Sequence, residues 1–147
     1  MAVPYAEVIG DPIAHSKSPL IHGFWLEKLG LPGEYRKTRV SARELPRHLE
    51  SKRADPFWRG CNVTAPLKQE AAALVGAPPA VCTFVGAVNC VTRTPLGCLV
   101  GTNSDIAGIA EALKGVEMEG RDVVLMGAGG AARAALCHLV REKARIT

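Results

Sequence analysis

At 147 residues the chain has the length of one domain or one and a half. Its 48% hydrophobic and 22% charged residues are ordinary for a globular, water-soluble protein and exclude a disordered tail. A net charge of +4, with lysines and arginines scattered through Arg36–Arg53 and aromatics at only 5%, argues against a nucleic-acid surface and leaves a small anionic ligand open.

Five cysteines (Cys61, Cys82, Cys90, Cys98 and Cys137) form an odd count without any Cys-x-x-Cys pair, and no signal peptide opens the chain. They read as reduced thiols of a cytoplasmic protein. The histidines at 15, 22, 48 and 138 lack metal-ligand spacing, so no metal is expected. Val123–Val140 is apolar, but its glycines, Arg133 and His138 indicate a buried strand and helix, with no membrane span.

In chain order, Tyr5–Gly10 reads as a first strand stopped by Gly10-Asp11-Pro12. Ser18-Pro19 opens a helix, with serine as N-cap and proline at the first helical position, and turns Leu20, Phe24 and Leu29 toward a core before Gly30. Ser16 and Ser18, two hydroxyls ahead of a helix N-terminus, form a plausible anion cradle. Glu34–Val40 is a charged strand suited to a sheet edge, and Ser41 caps a helix to about Lys52.

Phe57–Val63 leads into Asn62-Val63-Thr64-Ala65-Pro66-Leu67-Lys68, a strand that breaks at a proline placed at the start of a helix over 67–75. Thr64 at the mouth of this turn and Lys68 one turn into the helix can face one ligand; a capped helix with a solvated lysine is the plainer alternative. Gly76-Ala77-Pro78-Pro79 is a breaker, and Gly86–Thr92 and Leu96–Gly101 form a hairpin. Within it Asn89 is either a turn residue or a buried hydrogen-bonding group. Asn103, Ser104 or Asp105 caps a helix to about Lys114.

Val123–Met126 is a continuous apolar strand of the parallel-sheet type. Gly127-Ala128-Gly129-Gly130-Ala131-Ala132 follows, then an apolar helix to about Val140. Between strand and helix, this G-x-G-x-x-A turn fits dinucleotide binding: tight turn, backbone approach to a pyrophosphate, close helix packing. A glycine-rich turn that binds nothing is the alternative.

Taken together, these segments resemble the shikimate dehydrogenase family. The matching stretches are Val8–Pro19, Asn62–Lys68, Gly86-Ala87-Val88-Asn89, Gly101-Thr102-Asn103-Ser104-Asp105 and Gly127–Ala131, in the family's order and spacing. The resemblance implies an α/β fold: a mixed-sheet substrate-binding domain over 1–103, then the start of a Rossmann domain over 104–147. It implies reversible, NADP-dependent oxidation of shikimate to 3-dehydroshikimate on the route to aromatic amino acids. It assigns Ser16 and Ser18 to the substrate carboxylate, Thr64, Lys68 and Asn89 to the ring hydroxyls, and Asp105 to the lysine. The cofactor turn becomes Gly127, Ala128, Gly129, Gly130 and Ala131. Lys68 and Asp105 are the expected catalytic pair, within about 2.6–3.2 Å of one another in an interdomain cleft. A lysine becomes a base when partial burial lowers its pKa, which a neighbouring aspartate opposes, so Asp105 is read mainly as an orienting partner.

Two departures from the family pattern are mild: Ser104 stands for a threonine, and Cys90 follows Asn89 where threonine is usual. The third is length. Family members are roughly twice as long, and the residues that read the ribose fall about 20 beyond the glycines, so an N-terminal portion is expected. The competing readings are a truncated, non-catalytic binding or interaction module and a dehydrogenase that also accepts quinate. A homodimer stays open, and apolar surface on 123–126 and 131–140 is expected to need cover.

Overall fold

The computed structural model describes residues 3–76 and 85–147. The expected breaker at Ala77-Pro78-Pro79 and Cys82 lie outside the described residues. The elements are β1 (Tyr5–Gly10), α1 (Ser18–Lys28), β2 (Glu34–Arg39), α2 (Leu45–Arg53), β3 (Trp58–Val63), α3 (Lys68–Leu74), β4 (Cys90–Arg93) and β5 (Leu99–Thr102). There follow α4 (Asp105–Ala112), β6 (Asp122–Val123), α5 (Gly130–Arg141) and β7 (Arg145–Ile146).

The first five strands form one mixed sheet in the order β2-β1-β3-β4-β5, the α/β architecture expected. β1 pairs in parallel with both β2 and β3, while β3-β4 and β4-β5 are antiparallel. β2 is an edge strand, which its Glu34-Tyr35-Arg36-Lys37 sequence suits. β6 and β7 pair in parallel across α5 and make a separate βαβ unit. β6 is shorter than the expected strand 123–126: Val124 and Met126 are exposed, and Leu125 reaches only the Thr147 carbonyl.

The main core lies between the sheet and the helices α2 and α3. Ile9, Leu45, Leu49, Trp58, Val63, Leu67, Ala71, Val91 and Leu99 fill it. Inside it sits a charge. Glu7 on the central strand is 1% exposed. Its Oε1 accepts from Trp58 Nε1 at 2.9 Å and lies 3.1 Å from His48 Nε2 and 3.4 Å from Lys52 Nζ. Its Oε2 accepts from the Thr38 hydroxyl. Burial by itself raises the carboxyl pKa; the His48 and Thr38 hydrogen bonds and the His48 and Lys52 charges outweigh it and bring it down to about 2. Lys52 Nζ also donates to Tyr5 Oη, which donates to Asp55, so the cluster fastens α2 to β1.

Four expectations are corrected. Leu20 and Phe24 of α1 and Leu29 at its C-cap are 71%, 55% and 69% exposed and face no core. Apolar side chains ring α1 instead of forming a stripe, so spacing could not select a face. α1 stands over β2 and β1 beside an open groove of about 560 Å³, in which His22 stacks on Tyr35 at 4.0 Å. Second, α2 starts at Leu45, not Ser41. The Ser41 amide and hydroxyl both donate to the Glu44 carboxylate, which closes a turn ahead of the helix. Third, Pro66 lies in a turn before α3, after a cis Ala65–Pro66 bond, and Lys68 is the first helical residue. Fourth, the hairpin strand begins at Cys90; Ala87–Asn89 approach it without strand pairing.

Because the Glu7 pKa is depressed, its contribution to stability is present above the ordinary carboxyl value of about 4.5 and is lost as pH falls through about 2. Urea unfolding followed by circular dichroism should show stability dropping by about 3 kcal/mol over that window, at about 1.36 kcal/mol for each pH unit between the two values. Glu7→Gln should weaken the fold by a similar amount at neutral pH and flatten this acid dependence; an unchanged acid profile would contradict the account. The exposed Leu20, Phe24, Val124 and Met126 should make the chain associate, seen as a mass that rises with concentration in sedimentation; a monodisperse monomer at all concentrations would contradict it.

Candidate active site

Thr64 and Lys68 follow β3, and the loop carrying Ser16 and Ser18 follows β1. Because these strands are parallel neighbours, their C-terminal ends open on the same edge of the sheet, the edge where ligands bind in open α/β sheets. His15 of the loop and Thr64 of the turn, with Asp11, Pro12, Ala65 and Pro66, line a cavity of about 260 Å³ there. The Thr64 amide donates to the Ile9 carbonyl at 3.0 Å, which seals β3 to β1 at this point.

The second half of the site comes from the β4-β5 end. The Val88 amide donates to the Lys68 carbonyl at 2.9 Å, and the Asn89 amide to the Thr102 carbonyl at 3.0 Å. These bonds hold Asn89 beside the start of α4. Its Nδ2 donates to Asp105 Oδ1 at 2.7 Å and to Ser104 Oγ at 3.0 Å, and its Oδ1 accepts from the Ser104 amide at 2.9 Å. Asp105 Oδ2 accepts from Lys68 Nζ at 2.6 Å. The expected lysine–aspartate contact is therefore present, and Asn89 completes it. Its side chain is buried, which selects the hydrogen-bonding reading of this asparagine over the turn reading. The side chains of Lys68 and Asp105 remain 18% and 27% exposed, so the charged heads are reachable from solvent.

Asn103 is a residue that sequence reasoning left among the capping alternatives. It is buried; its Nδ2 donates to the Ala87 carbonyl and its Oδ1 accepts from the Asp105 amide, both at 2.9 Å. It thus ties the Gly86–Asn89 segment to the aspartate's own backbone. The Asn103-Ser104-Asp105 run was the available signal, because an asparagine two residues before a helix start makes this turn readily.

Ser16 and Ser18 take up different positions from those expected. Lys17 occupies the N-cap position of α1 and Ser18 is already helical; no side chain caps the helix. The Ser16 hydroxyl instead accepts from the Ser18 amide at 3.3 Å. Among the described residues no hydrogen bond joins either serine to the Lys68–Asp105–Asn89 cluster.

The glycine-rich turn reaches the same place from β6. Gly127 has a φ of 118°, open to glycine and strained for other residues, and Gly129 is the N-cap of the 12-residue α5. Around Gly129 a Cβ would meet nothing within 4 Å, so its backbone is open to approach. α4 and α5 pack on a second core of Val85, Ala87, Ile106, Ala134 and Cys137. Among the described residues no cluster of three or more His, Cys, Asp or Glu could hold a metal ion, and no helix is long and apolar enough to cross a membrane.

Comparison with known proteins bears on this geometry. A family model described as the shikimate dehydrogenase substrate binding domain matches residues 8–91, more than half of the chain. A protein of Sphingopyxis alaskensis named shikimate dehydrogenase (NADP(+)) is 52% identical over 142 residues, covering 97% of this chain and 52% of the relative. One of Bartonella henselae with the same name is 43% identical, covering 95% and 48%. Among solved structures, shikimate 5-dehydrogenase of Thermus thermophilus in complex with NADP(H) and shikimate is 38% identical with a TM-score of 0.85, over 98% of this chain and 54% of that one. The Aquifex aeolicus shikimate dehydrogenase is 32% identical with a TM-score of 0.89, over 98% and 54%. The chain spans about half the length of the curated relatives it matches. With a family model covering residues 8–91 and the mixed sheet those residues build, the chain belongs to the shikimate dehydrogenase substrate-binding domain family.

Proposed function

We propose that this chain provides the substrate-binding part, residues 1–103, and the opening of the Rossmann part, residues 104–147, of a cytoplasmic NADP-dependent shikimate dehydrogenase. The observation that carries the reading is the Lys68–Asp105–Asn89 cluster on the edge of the sheet where β1 and β3 end. The free thiols at Cys61, Cys90, Cys98 and Cys137 agree with a reducing compartment.

The turn from Gly127 to Ala131 suits a dinucleotide. Its backbone is open at Gly129, and the N-terminus of α5 favours a pyrophosphate. NADP+, when bound, supplies the hydride acceptor for the ring carbon that becomes a ketone. The protein's share is orientation and the proton. Lys68 Nζ, within reach of solvent, is the group placed to take the hydroxyl proton: it accepts it as the neutral amine and becomes the ammonium, which then returns the proton to solvent. Asp105 holds that ammonium with Oδ2 and accepts a substrate hydroxyl. Asn89 keeps Asp105 turned toward the lysine by its 2.7 Å bond. The hydroxyls of Ser16, Ser18 and Thr64 border the same sheet edge and serve the carboxylate and the ring hydroxyls.

The test joins this chain to the remaining half of the Sphingopyxis alaskensis relative and follows shikimate-dependent NADP+ reduction by absorbance of the reduced nicotinamide. Turnover is expected; a folded, soluble chimera that binds neither shikimate nor NADP+ would overturn the reading and leave a non-catalytic module. In the active chimera Lys68→Met should lower kcat about 10²–10⁴-fold with a smaller effect on KM, as for loss of a proton-transfer group. Asp105→Asn should raise KM and lower kcat together. If Lys68→Met kept its rate while Asp105→Asn lost it, the two roles would be exchanged. Asn89→Ala should mimic a weak Asp105→Asn, because it removes the bond that orients the carboxylate.

A further inference from the structure

The G-x-G-x-x-A pattern asks for small residues at 127, 129 and 132 and leaves position 130 free. Glycine at 130 needs another cause. Backbone conformation does not supply it: Gly130 is the first residue of α5, within a helix where alanine is the better former. Space does. A Cβ on Gly130 would stand 3.0 Å from Lys68 Cδ, 3.3 Å from Lys68 Cβ and 3.6 Å from Ala87 Cβ. The first two distances are inside ordinary carbon–carbon contact of about 3.5–4.0 Å.

Lys68 has little room to yield. Its backbone starts α3 and its carbonyl is bonded to the Val88 amide. Its ammonium is bonded to Asp105, which Asn89 and Asn103 hold in turn. A methyl group at 130 therefore displaces the middle of the lysine stem by a few tenths of an ångström against two fixed ends. We propose that Gly130 is a positioning residue for Lys68: its missing side chain lets the first turn of α5 close on the lysine's methylene stem and fixes the ammonium on Asp105. The turn proposed to hold the dinucleotide and the lysine proposed to handle the proton thus share one surface. The functional weight of this contact rests on the reading above, but the contact itself does not.

The test is a double-mutant cycle on the present chain, with Gly108→Ala as reference. Gly108 lies within α4, where a Cβ would meet nothing within 4 Å, so Gly108→Ala should raise Tm by helix propensity alone. Gly130→Ala should lower Tm instead. It should also displace or broaden the ζ-ammonium nitrogen–proton resonance of Lys68, identified by its loss in Lys68→Arg. In a Lys68→Ala background, which removes the 3.0 Å contact with Cδ and keeps only the 3.3 Å contact with Cβ, Gly130→Ala should lower Tm by clearly less than in the parent chain. The proposal is overturned if Gly130→Ala raises Tm in the parent chain, or if it lowers Tm equally with and without the lysine stem. Should Gly130→Ala fail to fold in the parent, folding of Gly130→Ala/Lys68→Ala supports the proposal, and its failure overturns it. None of these readouts needs turnover, so an inactive protein can pass and an active one can fail.

Discussion

The candidate site depends on one hydrogen-bonded carboxylate. Asp105 begins α4, the first helix after the five-stranded sheet, and its two oxygens face two segments of that sheet's edge. Oδ1 takes the Asn89 amide group and Oδ2 the Lys68 ammonium. Lys68 follows β3 and Asn89 precedes β4, so the aspartate bridges two strand ends and the helix that leaves the sheet. Remove it and the lysine loses its anchor, Asn89 loses a partner and α4 loses one of its ties to the sheet edge. Such a charge-assisted network is stronger than neutral hydrogen bonds, and stronger still where water is partly excluded.

A second carboxylate, this one fully buried, does a different job. Glu7 lies on the central strand and gathers Trp58, His48, Lys52 and Thr38, drawn from β3, α2 and β2. A buried ion cluster of this kind adds little net stability over an apolar one, while loss of one member leaves the others uncompensated. Its contacts tie α2 to the sheet and join the three strands in the order β2-β1-β3. That order puts the loop after β1 beside the turn after β3, and so brings His15 and Thr64 to one cavity. Neither residue touches Glu7; the connection is the register of the parallel strands.

The two ends of the molecule differ in cover. α2 and α3 close one face of the sheet over a well-filled core, whereas α1 and the β6-α5-β7 unit leave Leu20, Phe24, Val124 and Met126 in water. The chain spans about half the length of its matched relatives, and much of the exposed apolar surface lies on α1 and on the segment that follows β6. The lysine–aspartate contact is nevertheless made, because among the described residues every side chain hydrogen-bonded to the pair lies between 68 and 105.

Much of this is legible in the amino-acid sequence. The charges of Glu34, Arg36, Lys37 and Arg39 marked an edge strand, the glycines at 127 and 129 marked a strand-to-helix turn, and the resemblance in Asn62–Lys68 and Asn103–Asp105 paired a lysine with an aspartate 37 residues away. Those features are local or carried by motif, and local chemistry determines them. Tertiary structure alone decided which face of α1 meets the sheet, since an all-round apolar helix has no preferred side. It decided that Asn89 is a buried donor to Asp105 and that Asn103 braces both, because hydrogen-bond partners 15 or 16 residues apart depend on how the β4-β5 hairpin closes. It also decided that Gly130 lies against Lys68, since a close approach between residues 62 positions apart leaves no periodic trace in the chain.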